Sequence, residues 1–221
     1  MSYLIDFLKD LIYWLPALII AMSFHEYAHG KVADMLGDPT PRYAGRLTLN
    51  PLRHVDPLGL LMLIIVKFGW AKPVPVNPLY FKGDRRRGML LVAMAGPAMN
   101  FFLALLGGIA WALGVVTSVK WSAAEHAVRF FEYLMLYNVY LGVFNLMPIP
   151  PLDGSKILFS ILPPRYTKIM YKIEQYGFLI LVLVLTTGLY KYFLTPIATT
   201  VFKGIFALAG LILRLFLGGA A

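Results

Sequence analysis

Cysteine is absent from this chain of 221 residues. Its absence excludes disulfide bonds and thiolate metal sites, so any bound metal ion must be held by His, Asp or Glu side chains. Charged residues are also scarce, at 14% of the chain against 59% hydrophobic residues, whereas soluble domains carry about 25% charged residues. This composition predicts a polytopic membrane protein that forms a single integral membrane domain over residues 1–221.

The few charges present are unequal in sign, with 20 Lys and Arg residues against 11 Asp and Glu residues and a net charge of +9. In a membrane protein, an excess of basic residues indicates cytoplasmic loops, and we expect no nucleic-acid partner. We also expect no cleaved signal peptide. Its apolar part would have to be residues 11–24, and cleavage after it would remove or truncate the helix that carries the histidine motif described below.

Long apolar runs predict an all-α fold with five to six transmembrane helices. Five runs are long enough to cross a bilayer, at about 11–33, 88–117, 130–150, 177–195 and 196–218. The last two are separated by little more than Thr195-Pro196, which predicts a tight helical hairpin within 176–218. A sixth run, from Pro57 to Trp70, is only 14 residues long, which is more typical of a re-entrant or interfacial segment than of a full span.

The distribution of basic residues favours five spans. If 57–70 does not cross, 15 Lys and Arg residues lie on one side, in 31–87, 151–175 and the C-terminal end, and 4 lie on the other. If it does cross, the division becomes 11 against 7. The positive-inside rule therefore predicts an N-terminus outside, with the basic loops in the cytoplasm.

The segment 40–87 is predicted to contain re-entrant and extended or β structure near the membrane surface. Prolines alternate with other residues in Lys72–Pro78, and each proline pushes the residue before it towards extended geometry. Arg42–Leu49 is predicted as a short strand.

A metal-binding motif lies at the end of the first apolar run, in His25-Glu26-Tyr27-Ala28-His29. In a helix, His25 and His29 lie one above the other on one face. Two neutral imidazoles at this spacing can bind one zinc ion, and Glu26 can take a proton from a bound water. In a soluble protein this motif indicates a metalloprotease, whereas its apolar surroundings here predict hydrolysis within the bilayer.

Catalytic zinc sites usually have three protein ligands and a water, so a third ligand is needed at the depth of the histidines. One region qualifies, Asn145–Gly154, where three prolines interrupt an apolar helix before Asp153. An ionisable side chain at membrane depth is costly and indicates function. In the five-span topology Asp153 and the histidines lie on the same side of the membrane, whereas in the six-span topology they do not.

Three motifs are similar to those of the site-2 protease family of intramembrane zinc metalloproteases. They are His25–His29, Ala95–Asn100 (Ala-Gly-Pro-Ala-Met-Asn) and Asn145–Gly154. The resemblance covers about residues 10–160, as a three-helix catalytic core. It implies that His25, His29 and Asp153 are the zinc ligands, that Glu26 is the general base, and that Asn145 contacts the substrate or the oxyanion.

The compact prokaryotic branch of this family, which lacks a PDZ domain, is the closer match. Asn50–Pro57 and Lys72–Pro78 resemble its loops, and we expect no PDZ domain in this chain. Many members have a second glycine where Ser155 follows Gly154. That position is not a ligand in the family.

The resemblance implies an intramembrane endopeptidase in which zinc activates water and Glu26 acts as general base. The implied substrates are transmembrane or signal-peptide-like segments in a lipid bilayer. We expect the extended segment to unwind the substrate by β-strand pairing, and the C-terminal helices at 176–218 to form a lateral gate. Two other functions remain open: a metal-binding pseudoprotease that holds membrane clients, and a divalent-metal transporter.

Other polar residues have alternative interpretations. His54 either approaches the active site or pairs with Asp56 at the surface, with a structural role favoured. Asn100 is expected to make a helix-packing hydrogen bond more readily than to act in catalysis. His126 is expected to be solvated, and Asp153 alone could be a helix N-cap.

Overall fold

The fold is a helical bundle. A computed structural model describes residues 2–66, 69–118 and 124–217, so Lys67 and Lys120, two of the residues in the charge comparison, lie outside the described residues. The nine α-helices of these ranges are α1 (Ser2–Met35), α2 (Thr40–Tyr43), α3 (Pro57–Val66), α4 (Arg85–Ser118), α5 (Ala124–Asn145), α6 (Asp153–Ile161), α7 (Thr167–Gln175), α8 (Gly177–Thr187) and α9 (Tyr190–Leu217). Short 3₁₀ turns at Pro51–Arg53, Pro78–Tyr80 and Pro164–Tyr166 connect them.

Three of the described helices are long and apolar enough to cross a membrane, in α1, α4 and α9. A fourth crossing is possible if α7 and α8, which meet at an angle of 63°, act as one span. These helices are those of an integral membrane protein, as the composition predicts. The predicted total of five to six spans is not established by helix length and composition.

The centre of the bundle is formed by α1, α4 and α5, and α9 packs against the last two. Small residues allow this close packing. A Cβ atom on Gly107 would lie 3.1 Å from the backbone nitrogen of Met135, so α4 approaches α5 at backbone distance. Ala104, Val139 and Ala198 belong to the buried cluster that joins the three helices.

The C-terminal helices break at a different point from the one predicted. α8 ends at Gly188, whose φ of +74° is the left-handed conformation that glycine adopts without steric cost. α9 then continues through Pro196 without interruption, so the predicted break at Thr195-Pro196 is wrong. A proline removes one backbone donor but does not end a transmembrane helix whose other backbone groups remain bonded.

The predicted strand at Arg42–Leu49 is also wrong. Residues 40–43 form the short helix α2, and Gly45, at φ +65°, turns the chain after it. Among the described residues there is no regular strand, and the only strand-like pairing is an isolated antiparallel bridge between Val55 and Ala71. Extended conformation is found instead at the two ends of the segment 71–77, in the bridge at Ala71 and in the dihedral angles of Asn77, and the residues between them form no regular secondary structure.

The loop that contains α3 begins and ends at the same place. The Val55–Ala71 bridge joins its two ends, and a Cβ atom on Gly59 would lie 2.2 Å from the carbonyl oxygen of Trp70. α3 has 10 residues, a length of about 15 Å, which is half the thickness of a hydrocarbon core. The chain therefore enters and leaves this loop at one level.

The extended segment 71–77 is fixed beside the C-terminal end of α1. The carboxylate of Asp38 is fully buried and accepts hydrogen bonds from the backbone N–H groups of Asn77, at 2.7 Å, and Thr40, at 2.9 Å. Beyond the segment, Lys82 N–H donates to the carbonyl oxygen of Leu36 at 2.8 Å. These bonds hold the segment next to the histidine motif of α1.

Candidate metal centre

Three buried side chains meet between α1 and the start of α6. The Nε2 atoms of His25 and His29 are 3.0 Å apart, and each lies 3.1 Å from Oδ2 of Asp153. At least nine-tenths of each residue is buried. Within the ranges described, this is the one group of three His, Asp or Glu side chains arranged to hold a metal ion.

Local structure brings Asp153 to the histidines. α5 ends at Asn145, and residues 146–152 form a turn that places α6 against the end of α5. A Cβ atom on Gly154 would lie 2.2 Å from the carbonyl oxygen of Leu146, so a larger residue would open this turn. Leu152 occupies the N-cap of α6 and Asp153 follows it. The interpretation of Asp153 as an N-cap alone is therefore wrong.

Hydrogen bonds at Nδ1 set the orientation of both imidazoles. His29 Nδ1 lies 2.7 Å from the carbonyl oxygen of Val92, and His25 Nδ1 lies 2.6 Å from Oδ1 of Asn100. Because both oxygens are acceptors, each Nδ1 carries the proton and donates it. The lone pair of each Nε2 is then free to bind a metal, and such partners fix the orientation of histidine ligands in general.

Asn100 links three helices around His25. Its Nδ2 group donates to the carbonyl oxygen of Ala21, at 3.1 Å, and to Oδ1 of Asn138, at 2.8 Å. Asn100 is fully buried, and its packing role agrees with the favoured interpretation. In addition, its contact with His25 places it one bond from the metal centre.

Asn138 was not identified from the sequence. It is fully buried in α5 and donates through Nδ2 to the carbonyl oxygen of Leu134 at 2.8 Å. An amide side chain within an apolar stretch of sequence is the signal that could have found it.

Gly96 leaves the space that the imidazole rings occupy. A Cβ atom at this position would lie 2.4 Å from Nε2 of His29 and 2.5 Å from Cε1 of His25. Any residue other than glycine at position 96 would therefore collide with the two rings. The Ala95–Asn100 motif thus contributes both the room for the imidazole rings, at Gly96, and the amide of Asn100.

Glu26 and Asn145 lie beside the histidines in the wall of one cavity of about 700 Å³. Oε2 of Glu26 accepts a hydrogen bond from the backbone N–H of Val74 at 3.0 Å, which joins the motif to the extended segment. Asn145 donates through Nδ2 to the carbonyl oxygen of Leu141 at 3.0 Å. The remaining lining is mainly aliphatic and aromatic, from α1, α3, α5, α8 and the start of α9.

His54 and His126 are placed differently from the predictions. His54 is fully buried and its Nε2 donates to the carbonyl oxygen of Thr48 at 2.7 Å. It does not pair with Asp56, whose carboxylate instead accepts two backbone N–H groups of α3. His54 has a structural role at the base of the α3 loop. His126 is exposed but bonds the hydroxyl of Tyr13, so the expectation of a purely solvated ring is wrong.

Basic side chains hold the two ends of α6. Lys156 Nζ lies 3.5 Å from Oδ1 of Asp153. Arg86, at the start of α4, donates to the carbonyl oxygens of Phe159, in the last turn of α6, at 3.2 Å, and of Leu162, which follows that helix. Arg86 therefore joins the start of α4 to the end of α6.

Asp84 stabilises the first turn of α4. Its carboxylate accepts hydrogen bonds from the backbone N–H groups of Arg87 and Arg86, and these bonds lower the pKa of Asp84 below its ordinary value. The turn that carries Arg86 is therefore fixed at neutral pH.

Comparison with known proteins gives a consistent family. The model of peptidase family M50 matches residues 108–187, which include Asp153. The chain is 39% identical over 186 residues to "Putative zinc metalloprotease YwhC" of Bacillus subtilis, covering 83% of this chain and 84% of that protein. It is 36% identical over 192 residues to "Putative zinc metalloprotease Rip2" of Mycolicibacterium smegmatis, covering 85% of this chain and 70% of that protein.

A protein of the same name from Mycobacterium tuberculosis (strain H37Rv) is 32% identical over 214 residues, covering 91% of this chain and 76% of that protein. No solved structure shows a significant match. The identity and coverage of these relatives, together with the family match, agree with the motifs at His25–His29 and Asn145–Gly154. The chain therefore belongs to peptidase family M50, the site-2 protease family of zinc metalloproteases.

Proposed function

We propose that this protein is an intramembrane zinc endopeptidase that hydrolyses peptide bonds in or near the transmembrane segments of its substrates. One observation carries the proposal. His25, His29 and Asp153, from two parts of the chain that are more than 120 residues apart, converge within 3.1 Å beside a cavity that Glu26 lines.

The donor set suits a zinc ion. Two imidazoles and one carboxylate are the ligands of a common class of catalytic zinc site. Both Nε2 atoms point to the carboxylate of Asp153, and Gly96 leaves the space around them free of side-chain atoms. When bound, zinc supplies a Lewis acid that makes a water molecule more acidic and stabilises negative charge on a carbonyl oxygen.

Glu26 is the proposed general base. It accepts a proton from the attacking water as the water oxygen bonds to the peptide carbonyl carbon, and it passes that proton to the nitrogen when the C–N bond breaks. The N–H of Val74 holds Oε2 of Glu26, so one carboxylate oxygen is fixed while the other serves the proton transfer. Asn145, in the same cavity wall, is proposed to contact the substrate or the oxyanion.

The proposed topology has five spans with the N-terminus outside and the metal centre near the cytoplasmic face. α5 adds a span to those in α1, α4, the α7–α8 pair and α9. The shared level of the two ends of the α3 loop supports a re-entrant segment, because a crossing segment would separate Val55 from Ala71. The meeting of His25 and Asp153 supports the same topology, since both must lie at one depth.

The proposed substrates are transmembrane or signal-peptide-like helices. The cavity, with a volume of about 700 Å³ and a mainly apolar lining, suits an apolar peptide segment. A helical substrate hides its carbonyl groups, and we propose that pairing with the extended segment 71–77 unwinds it.

The C-terminal helices are proposed as a lateral gate to this cavity. α8 contributes Phe178, Leu181 and Leu185 to the lining of the cavity, and α3 contributes Gly59, Leu60 and Leu63. Because the chain has no native cysteine, a cysteine pair on α3 and α8 can be cross-linked cleanly. Cross-linking should block cleavage of membrane substrates, and an unchanged rate would remove the gate from the proposal.

The decisive experiment compares wild type with Glu26→Gln, which keeps the shape of the side chain but cannot act as a base. Bound zinc is measured first, and cleavage of a panel of helical membrane substrates follows. Zinc in both proteins with cleavage in wild type alone is the expected result. Glu174→Gln, at an exposed position on α7, is the matched control and should cleave normally.

Other results would favour another function. Zinc in both proteins without cleavage in either would favour a client-binding pseudoprotease. Zinc flux through liposomes would favour a transporter. Wild type without zinc would contradict the assignment of the site.

A further inference from the structure

α9 has one face in the core of the bundle and an opposite face that no part of the described chain covers. Ala198 and Ile205 lie in the buried cluster with α4 and α5. Thr200, Lys203 and Ala207, on the opposite side of the helix, are exposed. In an integral membrane protein this outer face meets lipid or another protein.

Lys203 lies at the middle of the candidate span Tyr190–Leu215. It follows Lys191 by twelve residues and precedes Arg214 by eleven, so it is about 18 Å and about 16 Å from the two ends of the span. A lysine near a helix end can extend its ammonium to the interface. At the centre of the span, both interfaces are too far away, so a lipid-facing ammonium is costly there.

No residue in the described part of the chain pairs with this ammonium. The hydrogen bonds and ion pairs within residues 2–66, 69–118 and 124–217 include none from Lys203. Intramembrane ionisable residues usually pair with one another or line a water-filled site. Lys203 does neither within this chain, because the cavity receives only Leu194 from α9 and Leu194 packs against the core.

The surroundings of Lys203 allow another helix to come close. Cβ atoms built on Gly204 and Gly210 would meet no atom within 4 Å. Small residues on a lipid-facing surface let two helix backbones approach each other. The small residues therefore support a helix as the partner, and the charge of Lys203 restricts the residues that this helix can carry.

We propose that the outer face of α9 binds an accessory transmembrane helix that carries an Asp or Glu near the middle of its span. The carboxyl group would bond the ammonium of Lys203 and remove the cost of exposing it to lipid. The partner is not a substrate in the act of cleavage, because this face points away from the cavity. Symmetric pairing of two α9 helices is disfavoured, since it would bring two Lys203 side chains together.

The test measures binding of a model peptide to the full chain in phosphatidylcholine vesicles by fluorescence energy transfer. The peptide is a Leu/Ala transmembrane helix with a central Asp, and a second peptide has Leu in its place. Wild type should bind the Asp peptide about tenfold more tightly than the Leu peptide. Lys203→Met should abolish the difference, and Lys203→Arg should restore it.

Lys191→Met is the matched control, because it removes an exposed lysine from the same helix at the membrane edge. It should keep the preference for the Asp peptide. Equal binding of the two peptides by wild type would overturn the proposal, as would an undiminished preference in Lys203→Met. Self-association of wild type without peptide, lost in Lys203→Met, would overturn it in favour of a second copy of the chain.

Discussion

Replacement of Gly96 by alanine tests whether the space beside the imidazoles is needed for the metal. The new Cβ atom would lie 2.4 Å from Nε2 of His29 and 2.5 Å from Cε1 of His25, whereas ordinary contacts begin at 3.4 Å. Both rings, or α4 itself, must therefore move by about 1 Å. Metal–ligand distances in zinc sites tolerate only about 0.2 Å, so the rings cannot keep their positions around the ion.

The expected loss of zinc affinity is at least a hundredfold. Loss of the groups that orient zinc ligands costs about 10- to 100-fold, and here the ligands themselves are displaced. A hundredfold loss corresponds to about 2.7 kcal/mol. Competition with a chelator of known affinity measures it on purified protein, and substrate cleavage should fall in parallel.

Gly204→Ala is the control for the effect of alanine in a helix. A Cβ atom at Gly204 meets nothing within 4 Å, and alanine favours a helix over glycine by about 1 kcal/mol. This variant should bind zinc as wild type does. If Gly96→Ala also bound zinc with wild-type affinity, the metal would not lie between these two histidines.

Three further predictions concern the surroundings of the site. Asn100→Leu should lower zinc affinity about 10- to 100-fold, because His25 loses the acceptor that fixes its ring. Asn138→Leu should act more weakly, since it removes only the hydrogen bond between Asn138 and Asn100. Competition with a chelator measures the zinc affinity of both variants. Val74→Pro should reduce cleavage much more than zinc binding, because it deletes the N–H that is bonded to Glu26. Val76→Pro is its control, since it removes an N–H elsewhere in the same segment. Equal cleavage rates in the two variants would contradict the prediction. Removal of zinc with a chelator should abolish cleavage and lower the thermal midpoint, and added zinc should restore both.

The metal centre could be predicted from the sequence because its residues are unusual for their surroundings. Two histidines one turn apart in an apolar helix, and an aspartate after a proline-interrupted helix, are costly unless they have a function. The same reasoning applies to Asn138 but was not extended to it. The role of Gly96 could not be predicted, because a glycine in a membrane helix indicates close packing without indicating against what.

The C-terminal break and the strand at 42–49 were mispredicted for local reasons. Pro196 was taken as a helix end, yet the left-handed Gly188 is where the chain turns. Arg42–Leu49 was predicted as a strand, whereas the short helix α2 and the turn at Gly45 determine its conformation. From sequence alone, it is difficult to decide whether a glycine or a nearby proline marks the residue at which a helix ends.

The position of Asn100 has a consequence for how this chain matures in a membrane. One amide contacts α1, α5 and the ring of His25 at once, so the orientation of that ring depends on the assembly of three separate segments. A chain whose fifth helix has not yet packed would lack part of this support. Assembly of the bundle is thus coupled to the orientation of a candidate ligand, and a chain with incompletely packed helices would hold the ring of His25 less firmly.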